Sequence, residues 1–169
     1  MKIEVPYGKE GAMAAELDDA VQVGFLEAND VQIGDEDQCI SDSIANPVNS
    51  KNFKDFLADA KQVLVIVNDA TRPTPTKKVL DVIFDDLSQV NYNFIIATGA
   101  HRGPSEEEYI QIFGDYYDRV KNNIIVHDAR KDEDMVRIGQ SSNGTEMYVN
   151  KAGVEADKFI IISSVYPAK

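Results

Sequence analysis

Behind Gln62, the residues Val63-Leu64-Val65-Ile66-Val67 form an unbroken apolar run that stops abruptly at Asn68-Asp69-Ala70-Thr71-Arg72-Pro73-Thr74-Pro75. A run this short with no polar position suits a strand buried on both faces, the condition of an interior strand in a parallel sheet. The residues after this loop have a helical pattern. Pro75 behind Thr74 reads as a first helical position behind an N-cap, and Val79, Val82, Ile83, Leu87 and Val90 recur at helical spacing. Strand, loop and helix therefore come in immediate succession.

The same unit repeats downstream. Asn93-Phe94-Ile95-Ile96-Ala97 reads as a second strand, broken at Gly99-Ala100-His101-Arg102-Gly103-Pro104, and Ser105 with Glu108 forms a capping-box pattern that opens a second helix. Asn123 to His127 and Lys158 to Ile162 give two more strands. Between them, Met135 to Ile138 and Thr145 to Val149 flank an Asn143-Gly144 turn and predict a β-hairpin. Upstream, Phe53, Phe56, Leu57 and Ala60 behind Ser50 predict a short amphipathic helix, while residues before about 50 give no clear element. Alternating strands and helices specify an α/β fold: a mostly parallel, Rossmann-like sheet with helices on both faces and a small β-hairpin insertion. At 169 residues the chain is expected to form one domain over 1–169, long enough to bury roughly 70% of its unfolded surface without disulfides.

The formal charge of −12 sets the chain against phosphate backbones and anionic headgroups, so neither nucleic acid nor membrane is an expected partner. A single cysteine, Cys39, excludes an intrachain bridge, and the early polar residues and the lack of a run of about 18 apolar residues lead to a cytoplasmic expectation. Two histidines and one cysteine at scattered positions show no zinc-type spacing, so no metal ligand is assigned. Neither a glycine-rich dinucleotide fingerprint nor a P-loop nor a serine nucleophile elbow occurs.

Ligands of parallel α/β sheets bind at the carboxyl ends of the strands. Asp69, Thr71 and Arg72 follow the first central strand, and His101 and Arg102 follow the second. On neighbouring strands all five would face one crevice. There an aspartate orients a base, a threonine and an arginine hold a carboxylate or phosphate, and a histidine moves protons near neutral pH. The helix start near Pro75 would add backbone N–H groups for an anion. The same residues also fit a purely structural arrangement, in which Asp69 and Thr71 form an Asx-type turn, Arg72 pairs with a surface carboxylate and His101 caps a loop. His127, beside Asp128, is read as structural and is given no catalytic role.

Asp69-Ala70-Thr71-Arg72-Pro73-Thr74-Pro75 followed by Ala97-Thr98-Gly99-Ala100-His101-Arg102 resembles the paired signature of the lactate racemase family. Val5-Pro6-Tyr7, Ile138-Gly139, Asn150-Lys151 and Glu155-Ala156-Asp157 fall in that family's order and spacing, so the resemblance extends over essentially 1–169. It implies the N-terminal domain of a two-domain racemase or epimerase that interconverts the enantiomers of a small 2-hydroxy acid. The implied cofactor is a nickel-pincer mononucleotide, a pyridinium ring with sulfur donors tethered to a lysine. On that resemblance His101 is the catalytic histidine that takes the substrate hydroxyl proton, and Asp69, Ala70, Thr71 and Arg72 form the cofactor-binding segment. The family's second histidine, its pincer lysine in a Gly-Gly-x-Lys stretch and its nickel histidine come after Val165-Tyr166-Pro167. The C-terminal domain is thus expected to be missing, the cofactor not to be tethered to this chain, and the isolated chain to be inactive. The alternative is a non-catalytic module of the same fold that binds a small anion or a nucleotide.

Overall fold

The computed structural model describes residues 1–8, 11–21, 24 and 34–165. Two compact units make it up, Met1–Ile33 and Gly34–Lys169. In the first, strands β1 (Lys2–Tyr7) and β2 (Gly11–Glu16) pair antiparallel. The Val5-Pro6-Tyr7 segment lies on β1, where a two-stranded ribbon tolerates a proline that lacks a backbone donor. This ribbon buries almost nothing, so its sequence carries little alternation from which to read it.

The second unit is built on a parallel four-stranded sheet. Its strands are β3 (Val63–Asn68), β4 (Tyr92–Ala97), β5 (Ile124–Val126) and β8 (Lys158–Ile162), in spatial order β5-β4-β3-β8. β3 is central, flanked by parallel partners on both sides, as its unbroken apolar run requires. Val63, Val65 and Val67 turn toward one face, and Leu64 turns toward the other.

On the Val63 face lie α1 (Glu36–Ala45), α2 (Phe53–Leu57), α3 (Thr76–Leu87) and α4 (Glu106–Phe113), which contribute Ile44, Leu57, Leu80, Ile83, Phe84, Leu87, Ile112 and Phe113 to the main core. Phe94 of β4 packs edge-on against Phe113 at 5.2 Å and is fully buried. A short helix, α5 (Tyr117–Val120), leads into β5. The opposite face receives only the antiparallel hairpin β6 (Met135–Gln140) with β7 (Glu146–Asn150) and the five-residue α6 (Lys151–Glu155). The parallel sheet, the helices on both faces and the hairpin insertion agree with the sequence reading, although the two faces are unequally covered.

Several local expectations need correction. α3 begins at Thr76 with Pro75 as the capping residue, not at Pro75 behind a Thr74 cap. The Thr74 hydroxyl is engaged elsewhere, accepting from the Asn68 side chain at 2.8 Å and meeting the Ser164 hydroxyl at 2.9 Å. The buried stripe of α3 is Thr76, Leu80, Ile83, Phe84 and Leu87, so Val79, Val82 and Val90 are only flanking contacts. α2 is capped by Asn52, whose side chain accepts from the Asp55 N–H at 2.9 Å, and not by Ser50. α1 and α6 have no counterpart in the sequence reading, and Tyr166-Pro167-Ala168-Lys169 lie outside the described residues.

Candidate functional site

β3 and β4 are parallel neighbours with Asn68 opposite Ala97, so the loops that leave them emerge at the same edge of the sheet. The first loop is shaped by Asp69. Its Oδ1 accepts from the Thr71 N–H at 3.1 Å and from the Thr71 hydroxyl at 2.6 Å, and its carbonyl accepts from the Arg72 N–H at 3.1 Å. This is the Asx-type turn that the structural reading anticipated. Its other oxygen, Oδ2, remains outside the turn and lies 2.6 Å from His101 Nδ1.

The second loop is fixed from several directions. Gly99 takes a φ of 58°, a left-handed conformation in which a side chain would be strained. The His101 N–H closes the turn onto the Thr98 carbonyl at 2.9 Å, and the buried Thr98 hydroxyl donates to the His127 carbonyl at the end of β5. Arg130 donates to the Ala100 carbonyl at 3.0 Å. The imidazole is thus held by backbone anchors while its side chain stays 58% exposed.

Asp69 is 7% exposed and is the one buried charged residue among the described residues. Burial pushes its carboxyl up, but the hydrogen bonds from Thr71 and His101 together outweigh this and leave it below the ordinary carboxylate range. An ionised carboxylate can only accept, so the 2.6 Å contact requires the proton on His101 Nδ1. In the neutral ring Nε2 then carries the free lone pair. That is the arrangement of a carboxylate-oriented base.

Asp69, Ala70, Thr71, His101, Arg102, Pro104 and Glu108 line one crevice of about 240 Å³. Arg102 is not available there for a ligand. Its guanidinium donates to both Glu108 oxygens, at 2.7 and 2.9 Å, and these bonds together with the Ser105 N–H lower Glu108 to about 2. Arg72 emerges from the same edge but does not line the crevice, is exposed, and makes no ion pair among the described residues. The carbonyl of Ala70 accepts from Gln111 at 3.4 Å. Sequence reasoning missed Glu108 as the partner of Arg102, having assigned it only to the capping box, and missed the Asn68, Thr74, Ser163 and Ser164 cluster at the neighbouring β3 and β8 ends.

His127 points elsewhere. With Asn150, whose side-chain nitrogen lies 3.4 Å from its Nδ1, it borders a larger cavity of about 650 Å³ on the opposite face of the sheet. That cavity is lined otherwise by mostly apolar side chains and glycine, whereas the smaller crevice gathers the charged and polar groups. Among the described residues no three His, Cys, Asp or Glu side chains converge, and no helix is long and apolar enough to cross a membrane.

The chain is 33% identical to the lactate racemase of Thermoanaerobacterium thermosaccharolyticum over 98% of its own length and 40% of that protein's. It is 29% identical to the lactate racemase of Lactiplantibacillus plantarum over 94% of its length and 38% of that protein's. The solved lactate racemase apoprotein from T. thermosaccharolyticum superposes with a TM-score of 0.79 at 32% identity, covering 95% of this chain and 38% of that one. The chain therefore spans about two fifths of the length of these relatives. The family model described as lactate racemase N-terminal domain matches residues 7–167, across both strand-end loops, and the chain belongs to that family.

Proposed function

We propose that this chain provides the proton-handling side of a lactate racemase-like racemase or epimerase acting on small 2-hydroxy acids. The observation that carries the reading is the 2.6 Å contact between buried Asp69 and exposed His101. His101 Nε2 takes the proton from the hydroxyl of one substrate enantiomer as C2 becomes planar and returns it when that enantiomer re-forms, while the resemblance gives the other enantiomer to the family's second histidine. Asp69 is a positioning residue: it fixes the tautomer and stabilises the imidazolium that forms during transfer. Arg72, which leaves the same edge and makes no ion pair among the described residues, holds the substrate carboxylate or a cofactor phosphate.

Racemisation at C2 also needs a hydride acceptor, which the family resemblance assigns to a nickel-pincer mononucleotide. The described residues offer no converging ligand set, so the donor chemistry here does not fit a nickel ion, and the reading gives this chain no step through the metal. Within the Asp69 to Arg72 segment both Asp69 oxygens are already engaged, and the guanidinium of Arg72 has unspent donors for the organic part of such a cofactor. The isolated chain is expected to bind substrate without turning it over, in a reducing, cytoplasmic setting.

Calorimetric titration of both lactate enantiomers, phosphate and a mononucleotide tests this. A charge-assisted hydrogen bond contributes roughly 1.5–3 kcal/mol, so Arg72→Ala is expected to weaken lactate binding on the order of tenfold or more. His101→Ala should weaken both enantiomers. Binding unchanged in both variants would remove the crevice from consideration.

A further inference from the structure

The second face of the sheet is apolar well beyond what covers it. The register aligns Ile125, Ile95, Ile66 and Ile161 in one row across all four strands, with Leu64 and Phe159 side by side in the next. Coverage by α6 and the hairpin fades along that row. Ile95 is 6% exposed, whereas Ile161 on β8 is 69% exposed and Phe159 is 47% exposed. Tyr148, Ile138 and Val154 continue the apolar surface from the hairpin and α6, and the groove between them holds about 650 Å³. An exposed apolar surface of this extent in a chain of charge −12 marks a contact site.

The topology says what kind of element fits this face. The steps from β3 to β4 and from β4 to β5 run in one direction, and right-handed crossovers place α3 and α4 on the Val63 face. The return from β5 to β8 runs the other way and therefore lies on the Leu64 face. The order β5-β4-β3-β8 is that of the first four strands of a doubly wound sheet, in which the next strand pairs beside the fourth. Its crossover helix then falls on the same face as the return. β8 has no partner on its outer edge among the described residues, and the larger part of each racemase relative lies C-terminal to the matched N-terminal domain.

We propose that this face is the docking surface for an amphipathic helix from the C-terminal remainder of a racemase of this family, supplied by the same or a separate polypeptide, with the strand after it pairing along β8. The proposal rests on family membership and on sheet topology, not on chemistry at His101. A second copy of this chain is disfavoured as occupant, because it would bring together two molecules that each carry a formal net charge of −12.

The test uses the chain alone and the chain joined to the C-terminal remainder of the T. thermosaccharolyticum racemase, both in a Cys39→Ser background, with maleimide labelling read peptide by peptide. Ile161→Cys should label rapidly in the chain alone and at least tenfold more slowly in the fusion, while Lys51→Cys labels alike in both. His101→Ala should leave this footprint unchanged, so a failure of the crevice reading is seen separately as lost lactate binding. Equal labelling of Ile161→Cys in a fusion that melts cooperatively would overturn the proposal. Should the fusion not fold, the remainder is added as a separate polypeptide, and absence of slowing there also overturns it. Slow labelling in the chain alone, together with a dimer in sedimentation, would assign the face to a second copy and overturn it equally.

Discussion

Asp69 performs two tasks with one carboxylate: one oxygen builds the turn with Thr71 and the other orients His101. Because its native pKa lies below the ordinary value, the stability it contributes is fully present above about pH 3.9 and is lost as pH falls through the lower native value. The difference in urea-unfolding free energy between wild type and Asp69→Asn is therefore expected to shrink as pH falls below about 4. A difference still undiminished at pH 2 would contradict the assignment. The pairing was legible in sequence because Asp69 and His101 follow two adjacent apolar strands, so adjacency alone brings them together. The Arg102 to Glu108 pair was not legible, since Glu108 already had a role in the capping box. A carboxylate has about four acceptor sites, and Glu108 uses them for both partners.

At the scale of elements, the capping box of α4 is complete: the Ser105 hydroxyl accepts from the Glu108 N–H, and the Glu108 carboxylate accepts from the Ser105 N–H. Ser105→Ala should cost about 1 kcal/mol of global stability in chemical denaturation. Glu108→Gln should cost most at neutral pH, with the loss disappearing as acid approaches the carboxylate's native value of about 2. The four strands of the parallel sheet were read to within a residue or two because a buried parallel strand has a continuous apolar signature, whereas the exposed ribbon of β1 and β2 was not read. Helix starts were less legible. Thr74 could cap α3 by its chemistry, but Asn68 and Ser164 compete for its hydroxyl, and that competition depends on β8 lying beside β3. The five-residue α6 left no periodicity to detect, although Asn150, whose side chain accepts from the Ala152 N–H at 3.0 Å, is the capping residue that could have signalled it.

For the whole molecule, the energetic weight sits on the Val63 face. Phe94 is fully buried between Tyr92, Phe113 and the helices, so Phe94→Ala should destabilise by roughly 3–5 kcal/mol and lower the unfolding midpoint in guanidinium accordingly. The opposite face contributes far less, and it is there that a further element is expected to dock. The crevice belongs to neither face but to the sheet edge, so a ligand can reach His101 with the Leu64 face covered or open. Substrate contact at that edge can be observed directly from the imidazole nitrogens of 15N-labelled histidine during titration with each lactate enantiomer. His101 is expected to show the Nδ1-protonated tautomer before addition and a saturable shift of Nε2 with both enantiomers, with His127 unmoved and the His101 shift displaced on the order of tenfold to higher ligand concentration in Arg72→Ala. A His101 resonance that neither enantiomer perturbs in the folded chain would contradict the proposed role of the crevice.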